Sequence, residues 1–217
     1  MEHVDAEGVR AAVDVMALAP VRLAFAALPV MRRQGHGRIV NITSIGGKIS
    51  VPHLLPYSTA KFAAVGFSEG LRAELDGGPV TVTTGVPGLM RTGSHVQALF
   101  GGQQEKEFTW FSLGASLPFV SMDAERAARQ IVNAVRGRRA ELILTPLGQV
   151  VARTAGIFPG VTAKALNLTA RLALPAPASP GDGDAVAGRE LRPAFVPKLF
   201  DRLTALGRNA AKRFNES

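Results

Sequence analysis

Residues 41–61 read NITSIGGKISVPHLLPYSTAK, and the rest of the sequence is best understood from this segment. It begins with β-branched residues typical of a strand, passes through the glycine turn Gly46–Gly47, and continues into a segment that carries Tyr57 and Lys61. Tyr57 and Lys61 are four residues apart, so on a helix they share one face, one turn apart. The stretch therefore predicts a strand, a turn and a helix that presents both side chains together.

The pair Tyr57 and Lys61 has the chemistry of a proton-transfer device. A phenol has an unperturbed pKa of about 10, so it is a poor acid or base at neutral pH. An ammonium group one turn away stabilises the phenolate and lowers that pKa. Ser44 lies thirteen residues before Tyr57, at the end of the strand, where its hydroxyl can orient a carbonyl. The alternative for Ser44 is a turn hydroxyl that caps local backbone.

Three further motifs accompany this stretch, namely RIVNITS at 38–44, AAVGFSEGLRAEL at 63–75 and VTVTTGVPGLMRTG at 80–93. With the Tyr-x-x-x-Lys spacing, they resemble the short-chain dehydrogenase/reductase family over about residues 5–145. The resemblance implies an α/β fold with a Rossmann-like, doubly wound parallel sheet. It also implies an NAD(P)-dependent oxidoreductase that interconverts a carbonyl and a secondary alcohol by hydride transfer.

The resemblance assigns the catalytic roles to Ser44, Tyr57 and Lys61. Ser44 polarises the substrate oxygen, Tyr57 is the acid/base, and Lys61 binds the nicotinamide ribose and lowers the Tyr57 pKa. The cofactor is NAD or NADP, and Tyr57 and Lys61 contact it. In the family a P-G-x-x-x-T loop lies under the nicotinamide. The matching cofactor-binding residues here are Pro87, Gly88, Leu89 and Thr92.

Part of the family's pattern is absent from this sequence. There is no T-G-x-x-x-G-x-G turn, which holds the dinucleotide pyrophosphate at a helix N-terminus, and no N-N-A-G strand. We therefore expect the C-terminal half of a Rossmann domain, with residues 38–43 as an edge strand and no site for the adenosine half of NAD(P). A truncated, non-catalytic remnant that serves as a dimerisation or interaction module is the alternative. The family builds its main dimer interface from helices matching 5–33 and 57–75, which implies a homodimer or homotetramer.

Residues 5–33 have apolar residues at helical spacing and predict one long helix, with a kink and an early end caused by Pro20 and Pro29. In the family this helix carries an Asn that holds a water linked to the active-site Lys. The Asn aligns with Met16, whose thioether is a weak acceptor and donates nothing. We expect Met16 to pack in the core and, if the alignment holds, the proton relay to be altered.

Composition limits the classes of function. The chain has 217 residues, no Cys and four scattered His, which excludes disulfides and Cys-ligated metal and indicates no metal site. The N-terminus is polar and acidic, and no run reaches 18 uninterrupted apolar residues, so we expect a cytoplasmic protein with no membrane span. The net charge of +8 is spread without interleaved aromatics, so we expect no nucleic-acid partner.

The remaining chain divides by composition. Residues 94–120 lack a regular period and hold most of the aromatics, so they predict a long irregular segment of the kind that forms lids and binding loops. The family places its substrate lid here, so the resemblance implies an apolar substrate. A loop packed on the core is the alternative there. After a Rossmann part at 1–145, residues 146–174 predict an amphipathic helical extension against the domain or a membrane surface. A Pro/Gly/Ala-rich linker follows at 175–196, and then one basic amphipathic helix at 197–217 that docks on the body, a partner or an anionic membrane.

Overall fold

In the computed structural model, the quoted stretch forms the end of a strand, one 3-10 turn and the start of a long helix. The structure describes residues 5–118, 120–175, 186–191, 193–194 and 197–216. The helices and strands, in chain order, are α1 Ala6–Val13, a π-helical turn Asp14–Leu18, α2 Ala19–Arg33, β1 Gly37–Ile42, a 3-10 turn Ile45–Gly47, α3 Leu55–Glu74, β2 Val80–Val86, β3 Leu89–Arg91, α4 Ser94–Gln97, β4 Leu99–Phe100, α5 Gln104–Ser116, β5 Ser121–Asp123, α6 Ala124–Arg136, β6 Glu141–Ile143, α7 Pro146–Ile157, α8 Pro159–Ala173, β7 Val186–Ala187, a 3-10 turn Gly188–Glu190, α9 Pro197–Leu203 and α10 Ala205–Arg213.

The chain divides into two compact units. Of the described residues, the sheet unit contains 5–88 and 127–163. The tail unit contains the described residues within 89–126 and 164–216. The chain passes from one unit to the other after Gly88, within α6 and within α8.

The sheet unit is built on three parallel strands in the order β1-β2-β6. Gly37 to Ile42 of β1 pair with Val80 to Gly85 of β2, residue by residue. Among the strands that the structure describes, β1 pairs with β2 alone, so it is an edge strand as predicted. Parallel strands joined by helices confirm the α/β class.

The core of the sheet unit lies between the helices and the sheet. Ala24 and Leu28 of α2 pack with Leu71 of α3 and Val82 of β2 in one buried cluster. Burying an aliphatic side chain of this size stabilises the fold by about 1.5–3 kcal/mol. This cluster fixes α3 against the strands whose ends carry the candidate site.

The predicted helix over 5–33 forms as a continuous helical segment from Ala6 to Arg33, with a π-helical turn in its middle. Pro20 has no N–H to donate to the carbonyl of Met16, and just before it the N–H of Ala19 donates to Asp14 five residues back. The predicted early end at Pro29 is wrong, because the helix continues to Arg33. Within the described part of the chain, this is the one helix that is long and apolar enough to cross a membrane by length and composition.

Helix α3 begins at Leu55, two residues before the predicted start at Tyr57. The restriction that Pro56 places on its neighbour suggested the later start. A proline is compatible with the first helical turn, because the N–H groups there have no intrahelical acceptor. Tyr57 is therefore the third residue of α3 rather than its first.

The tail unit has a separate aromatic core. Phe100, Phe108 and Phe200 are buried together, and the rings of Phe100 and Phe108 meet edge to face at 5.7 Å. The irregular structure predicted for 94–120 is therefore wrong, because α4, β4 and α5 form there. Phe100 and Phe108 are core residues, which agrees with the alternative that this segment packs on a core. The buried side of α5 carries Thr109, Ser112 and Ser116. The sequence therefore lacks the apolar residues at helical spacing that would have predicted this helix.

The C-terminal region forms two helices, α9 and α10, where one was predicted. They are separated at Thr204, which is fully buried and donates its hydroxyl to the carbonyl of Phe200. Of the three alternatives for the tail, docking on the body is the one observed, since Phe200 packs against Phe108 within the tail unit. Most of the predicted linker, at 176–185, 192 and 195–196, lies outside the described residues.

Candidate active site

The candidate site lies at the carboxyl ends of β1 and β2. The two strands remain joined beyond their last residues, because Thr43 donates its N–H to Gly85 at 2.7 Å and Ile45 donates to Pro87 at 2.8 Å. The carboxyl edge of a parallel sheet is where α/β proteins place their ligands. These bonds bring Ser44 of the first loop next to Pro87 of the second.

The Ser44 side chain lies near enough to Tyr57 to lower its pKa by hydrogen bonding. The Ser44 oxygen also accepts the N–H of Gly46 at 3.1 Å, the turn capping that was the alternative role. Because Ser44 has one proton and accepts from Gly46, its proton is available to the Tyr57 oxygen. Ser44 therefore both caps the turn and points a donor at Tyr57.

The two glycines of the turn allow α3 to approach closely. A Cβ on Gly46 would lie 2.9 Å from Cε1 of Tyr57. A Cβ on Gly47 would lie 2.5 Å from the carbonyl oxygen of Lys61 and 2.7 Å from Cγ2 of Val65. Real Cβ contacts are not that short, so both positions require glycine for the observed seat of Tyr57 and Lys61.

Lys61 completes the group on the same face of α3. Its Nζ lies 5.6 Å from the centre of the Tyr57 ring and donates to the carbonyl of Ile42 at 3.5 Å. Burial lowers the pKa of Lys61. Burial also raises the pKa of Tyr57, and the hydrogen bond from Ser44 acts in the opposite direction. The sequence predicted a lowered pKa for Tyr57; the structure gives a raised one, because desolvation of the phenolate is the largest influence.

A buried polar network fixes α3 to the strands behind the site. Asn41 donates its side-chain N–H to Ser68 at 3.0 Å, and the hydroxyls of Ser68 and Thr84 are 2.7 Å apart. All three side chains are buried. Sequence reasoning missed this network, although Asn41 and Thr84 stand on apolar strands, where a polar residue needs a partner.

Lys48 is a second residue that sequence reasoning missed. Its Nζ lies 2.5 Å from Glu69 of α3 and 2.6 Å from Glu141 of β6. Burial of Lys48 lowers its pKa, but the hydrogen bonds and charges of Glu141 and Glu69 outweigh burial and raise it. The ammonium group thus ties the loop after Ser44 to α3 and β6.

The predicted cofactor-binding residues divide between the two units. Pro87 and Gly88 belong to the sheet unit with Ser44, Tyr57 and Lys61. A Cβ on Gly88 would lie 3.0 Å from Oγ1 of Thr145, the residue that caps α7. Gly88 is therefore a close backbone approach.

Leu89 and Thr92 belong to the tail unit, which begins at Leu89. Leu89 pairs with Ser121 in a short parallel ladder, and the Thr92 hydroxyl accepts the N–H of Ser94 at 3.2 Å. Met16 lies inside the π-helical turn and is only half-buried, so it is not one of the buried core residues that were expected there.

The sequence and the structure were both compared with known proteins. A family model described as short chain dehydrogenase matches residues 1–99. The chain is 31% identical over 133 residues to dehydrogenase/reductase SDR family member 7B of Danio rerio, which covers 61% of this chain and 41% of that protein.

Two solved structures are similar in fold. One is a short chain dehydrogenase from Burkholderia cenocepacia in complex with NADP, with a TM-score of 0.56 and 24% identity over 79% of this chain and 61% of that one. The other is a short-chain dehydrogenase from Streptomyces avermitilis, with a TM-score of 0.59 and 26% identity over 79% of this chain and 64% of that one.

The chain belongs to the short-chain dehydrogenase/reductase family. The matched relatives are dehydrogenases and reductases, and the solved neighbours have the Rossmann-type α/β fold that the resemblance implied. The chain spans about two-fifths of the length of the curated relatives it matches, 41% and 43% in two of them.

Proposed function

We propose that the protein is an NAD(P)-dependent oxidoreductase that interconverts a ketone or aldehyde and its alcohol at Ser44, Tyr57 and Lys61. The observation that carries this proposal is that Ser44 and Lys61 both lie beside Tyr57. Nζ of Lys61 is 5.6 Å from the centre of the Tyr57 ring, and the Ser44 side chain is near enough to lower the Tyr57 pKa. Two hydroxyls that converge on one point can both donate to a carbonyl oxygen. This arrangement is the reason to favour the enzyme over a non-catalytic remnant.

The raised pKa of Tyr57 defines its role in the reduction direction. At neutral pH the phenol stays protonated, so Tyr57 is the acid that gives its proton to the substrate oxygen. Ser44 donates a hydrogen bond to that oxygen as negative charge develops on it. Lys61 stabilises the phenolate that remains after the transfer. In the oxidation direction the same proton returns from the alcohol to Tyr57.

A nicotinamide, when bound, supplies the hydride that reduction requires. The residues of the sheet unit fit the nicotinamide ribose end. Lys61 carries three N–H donors, and the carbonyl of Ile42 at 3.5 Å takes one of them. At Gly88, where a Cβ would lie 3.0 Å from Oγ1 of Thr145, the backbone approaches Thr145 closely. Gly88 and the neighbouring Pro87 are proposed as contacts to the nicotinamide. Leu89 and Thr92 are proposed as further contacts to the cofactor.

We propose a small apolar carbonyl compound or alcohol as the substrate. Ile45 directly follows Ser44 and donates its N–H to Pro87, and Ile42, two residues before Ser44, is exposed at the end of β1. The aromatic residues of 94–120 no longer support this choice, because Phe100 and Phe108 are buried in the tail unit.

The test is the reduction of a panel of apolar ketones, measured through the oxidation of NADH or NADPH. Tyr57→Phe should lower kcat by about 10²- to 10⁴-fold, because general acid catalysis contributes that much. Thr59→Ala is the matched control, since it removes an exposed hydroxyl of α3 that bonds only to the carbonyl of Leu55. Retained activity in Tyr57→Phe would exclude the proposed role.

We also propose a homodimer through the outer side of the 6–33 helix and α3. Leu23, Phe25 and Phe62 are exposed, and a groove of about 550 Å³ runs between α2 and α3. Leu23→Glu with Phe25→Glu should halve the mass seen by light scattering, whereas Leu99→Glu, at another exposed leucine, should not change it. A wild-type monomer would contradict the dimer.

The cytoplasm remains the proposed compartment.

A further inference from the structure

Helix α8 carries its apolar side toward solvent. Val161, Leu168 and Leu172 follow one side of the helix at spacings of seven and four residues, and they are 61%, 58% and 78% exposed. Thr162 and Leu166, on another side, are half-buried. A helix of a soluble fold turns its apolar stripe to the core, so this orientation needs a different surface to cover it.

Helix α7 has the same character. Leu147, Val150 and Ile157 are all exposed, and Phe158, which directly follows the helix, is exposed as well. Two successive helices thus expose large apolar side chains. Scattered single apolar residues need no explanation, but a run of them over 26 residues, from 147 to 172, indicates an interaction surface.

The charges on this segment have one sign. Residues 142–175 contain Arg153, Lys164 and Arg171 and no Asp or Glu. On α8, Lys164 and Arg171 each come three residues after a member of the apolar stripe, so the cations border it. All three basic side chains are exposed. The segment therefore combines an exposed apolar side with purely positive flanks.

This combination fits an anionic lipid surface better than a second copy of the chain. In a symmetric dimer each patch meets itself, so Lys164 and Arg171 would face the same cations of the partner without a carboxylate between them. At a bilayer the apolar side chains enter the boundary of the acyl chains, while long basic side chains reach the phosphates. We propose that α8, together with α7, docks the protein on the surface of an anionic membrane.

The proposal does not depend on the proposed catalytic role, and vesicle cosedimentation tests it. The protein should bind vesicles of phosphatidylcholine mixed with phosphatidylglycerol at 0.15 M salt and should not bind phosphatidylcholine alone. Binding should weaken at 1 M salt, where the screening length falls to about 3 Å. Each basic residue near an anionic surface contributes a factor of roughly five, so the triple variant Arg153→Gln, Lys164→Gln, Arg171→Gln should lose about a hundredfold.

One double variant removes the apolar contribution, and two controls match the apolar and the charge variants. Leu168→Glu with Leu172→Glu should abolish binding, whereas Leu99→Glu, at a leucine 71% exposed outside the segment, should keep it. The charge control is Arg22→Gln, Arg33→Gln, Arg136→Gln, which lowers the net charge equally at exposed positions elsewhere. Because every substituted side chain is exposed, circular dichroism should show an unchanged fold.

Four results would overturn the proposal. The first is no binding to either vesicle, and the second is equal binding to both without salt dependence. The third is an equal loss of binding in the segment's charge triple and in the control triple. The fourth is a protein that binds no vesicles but forms a dimer, which Leu168→Glu with Leu172→Glu converts to a monomer. The third result would mean that the overall positive field attracts the membrane. The last would mean that a second copy covers α8.

Discussion

The sheet unit and the tail unit treat their buried polar groups differently. In the sheet unit, Asn41, Ser68 and Thr84 form a connected network behind the candidate site. In the tail unit, among the residues that the structure describes, the hydroxyls of Ser112 and Ser116 are buried without a partner. A buried polar group without a partner costs about 1–3 kcal/mol. In the unit that holds Tyr57 these buried polar groups are therefore hydrogen-bonded to one another. In the tail unit the unpaired buried hydroxyls lower the stability of the fold.

The largest effect is expected where the sheet unit is tightest, at Gly47. Gly47→Ala should destabilise the fold by about 2–3 kcal/mol, because its Cβ would overlap the Lys61 carbonyl at 2.5 Å and force α3 to move. Urea unfolding followed by circular dichroism measures the change.

Gly66→Ala on the same helix is the control for the Gly47 experiment. No atom lies within 4 Å of its Cβ, so it should stabilise the helix by about 0.5–1 kcal/mol. If Gly47→Ala lowers the free energy of unfolding no more than Gly66→Ala does, the turn does not approach α3 as closely as described.

The next effect compares two fully buried serines, one in each unit. Ser68→Ala should cost about 1–3 kcal/mol, because it leaves Asn41 and Thr84 without their partner. Ser112→Ala should be neutral or stabilising, because it removes a hydroxyl that has no partner. Urea midpoints of the two variants, measured side by side, give the comparison, and equal losses would contradict it.

The smallest effect is a pH dependence from His95 in the tail unit. Burial lowers the pKa of His95, the charge of Arg208 lowers it further, and a hydrogen bond to the Thr92 backbone raises it. The unfolded chain then binds a proton near pH 6.5 that the folded state takes up only at lower pH. Stability should therefore fall as the pH drops below 6.5.

Trp110 is the single tryptophan and lies on α5, so its fluorescence reports unfolding of the tail unit at pH 7.5 and 5.5. His95→Gln should flatten the loss of stability between these values. His36→Gln, at an exposed histidine of the sheet unit, should leave it in place. A loss that survives in His95→Gln would assign it to another group.

Much of the sheet unit could be predicted from sequence because its pattern is local. The strand at 38–43, the glycine turn and the Tyr57–Lys61 spacing each follow from neighbouring residues, and the structure brings Ser44, Tyr57 and Lys61 together. The raised pKa of Tyr57 could not be predicted, since burial depends on residues distant in the chain.

The tail unit was predicted poorly for a physical reason. Helix α5 turns Thr109, Ser112 and Ser116 inward, so it lacks the apolar period that reveals a helix. The tail was expected as one helix because the buried Thr204, which lies between α9 and α10, resembles an ordinary exposed threonine in sequence. The partners of Lys48 were missed because Glu69 and Glu141 are far from it along the chain.

Tyr57 is half-buried, desolvation raises its pKa, and the Ser44 side chain lowers it; a spectroscopic titration tests these two influences directly. Tyr57 is the single tyrosine, so tyrosinate absorbance near 295 nm reports this residue alone. The account predicts a midpoint above 10 in the wild type and a higher one in Ser44→Ala, because the Ser44 hydrogen bond lowers the pKa. Circular dichroism at each pH confirms that the chain is still folded. A midpoint at or below 10, or one that Ser44→Ala leaves unchanged, would contradict the account.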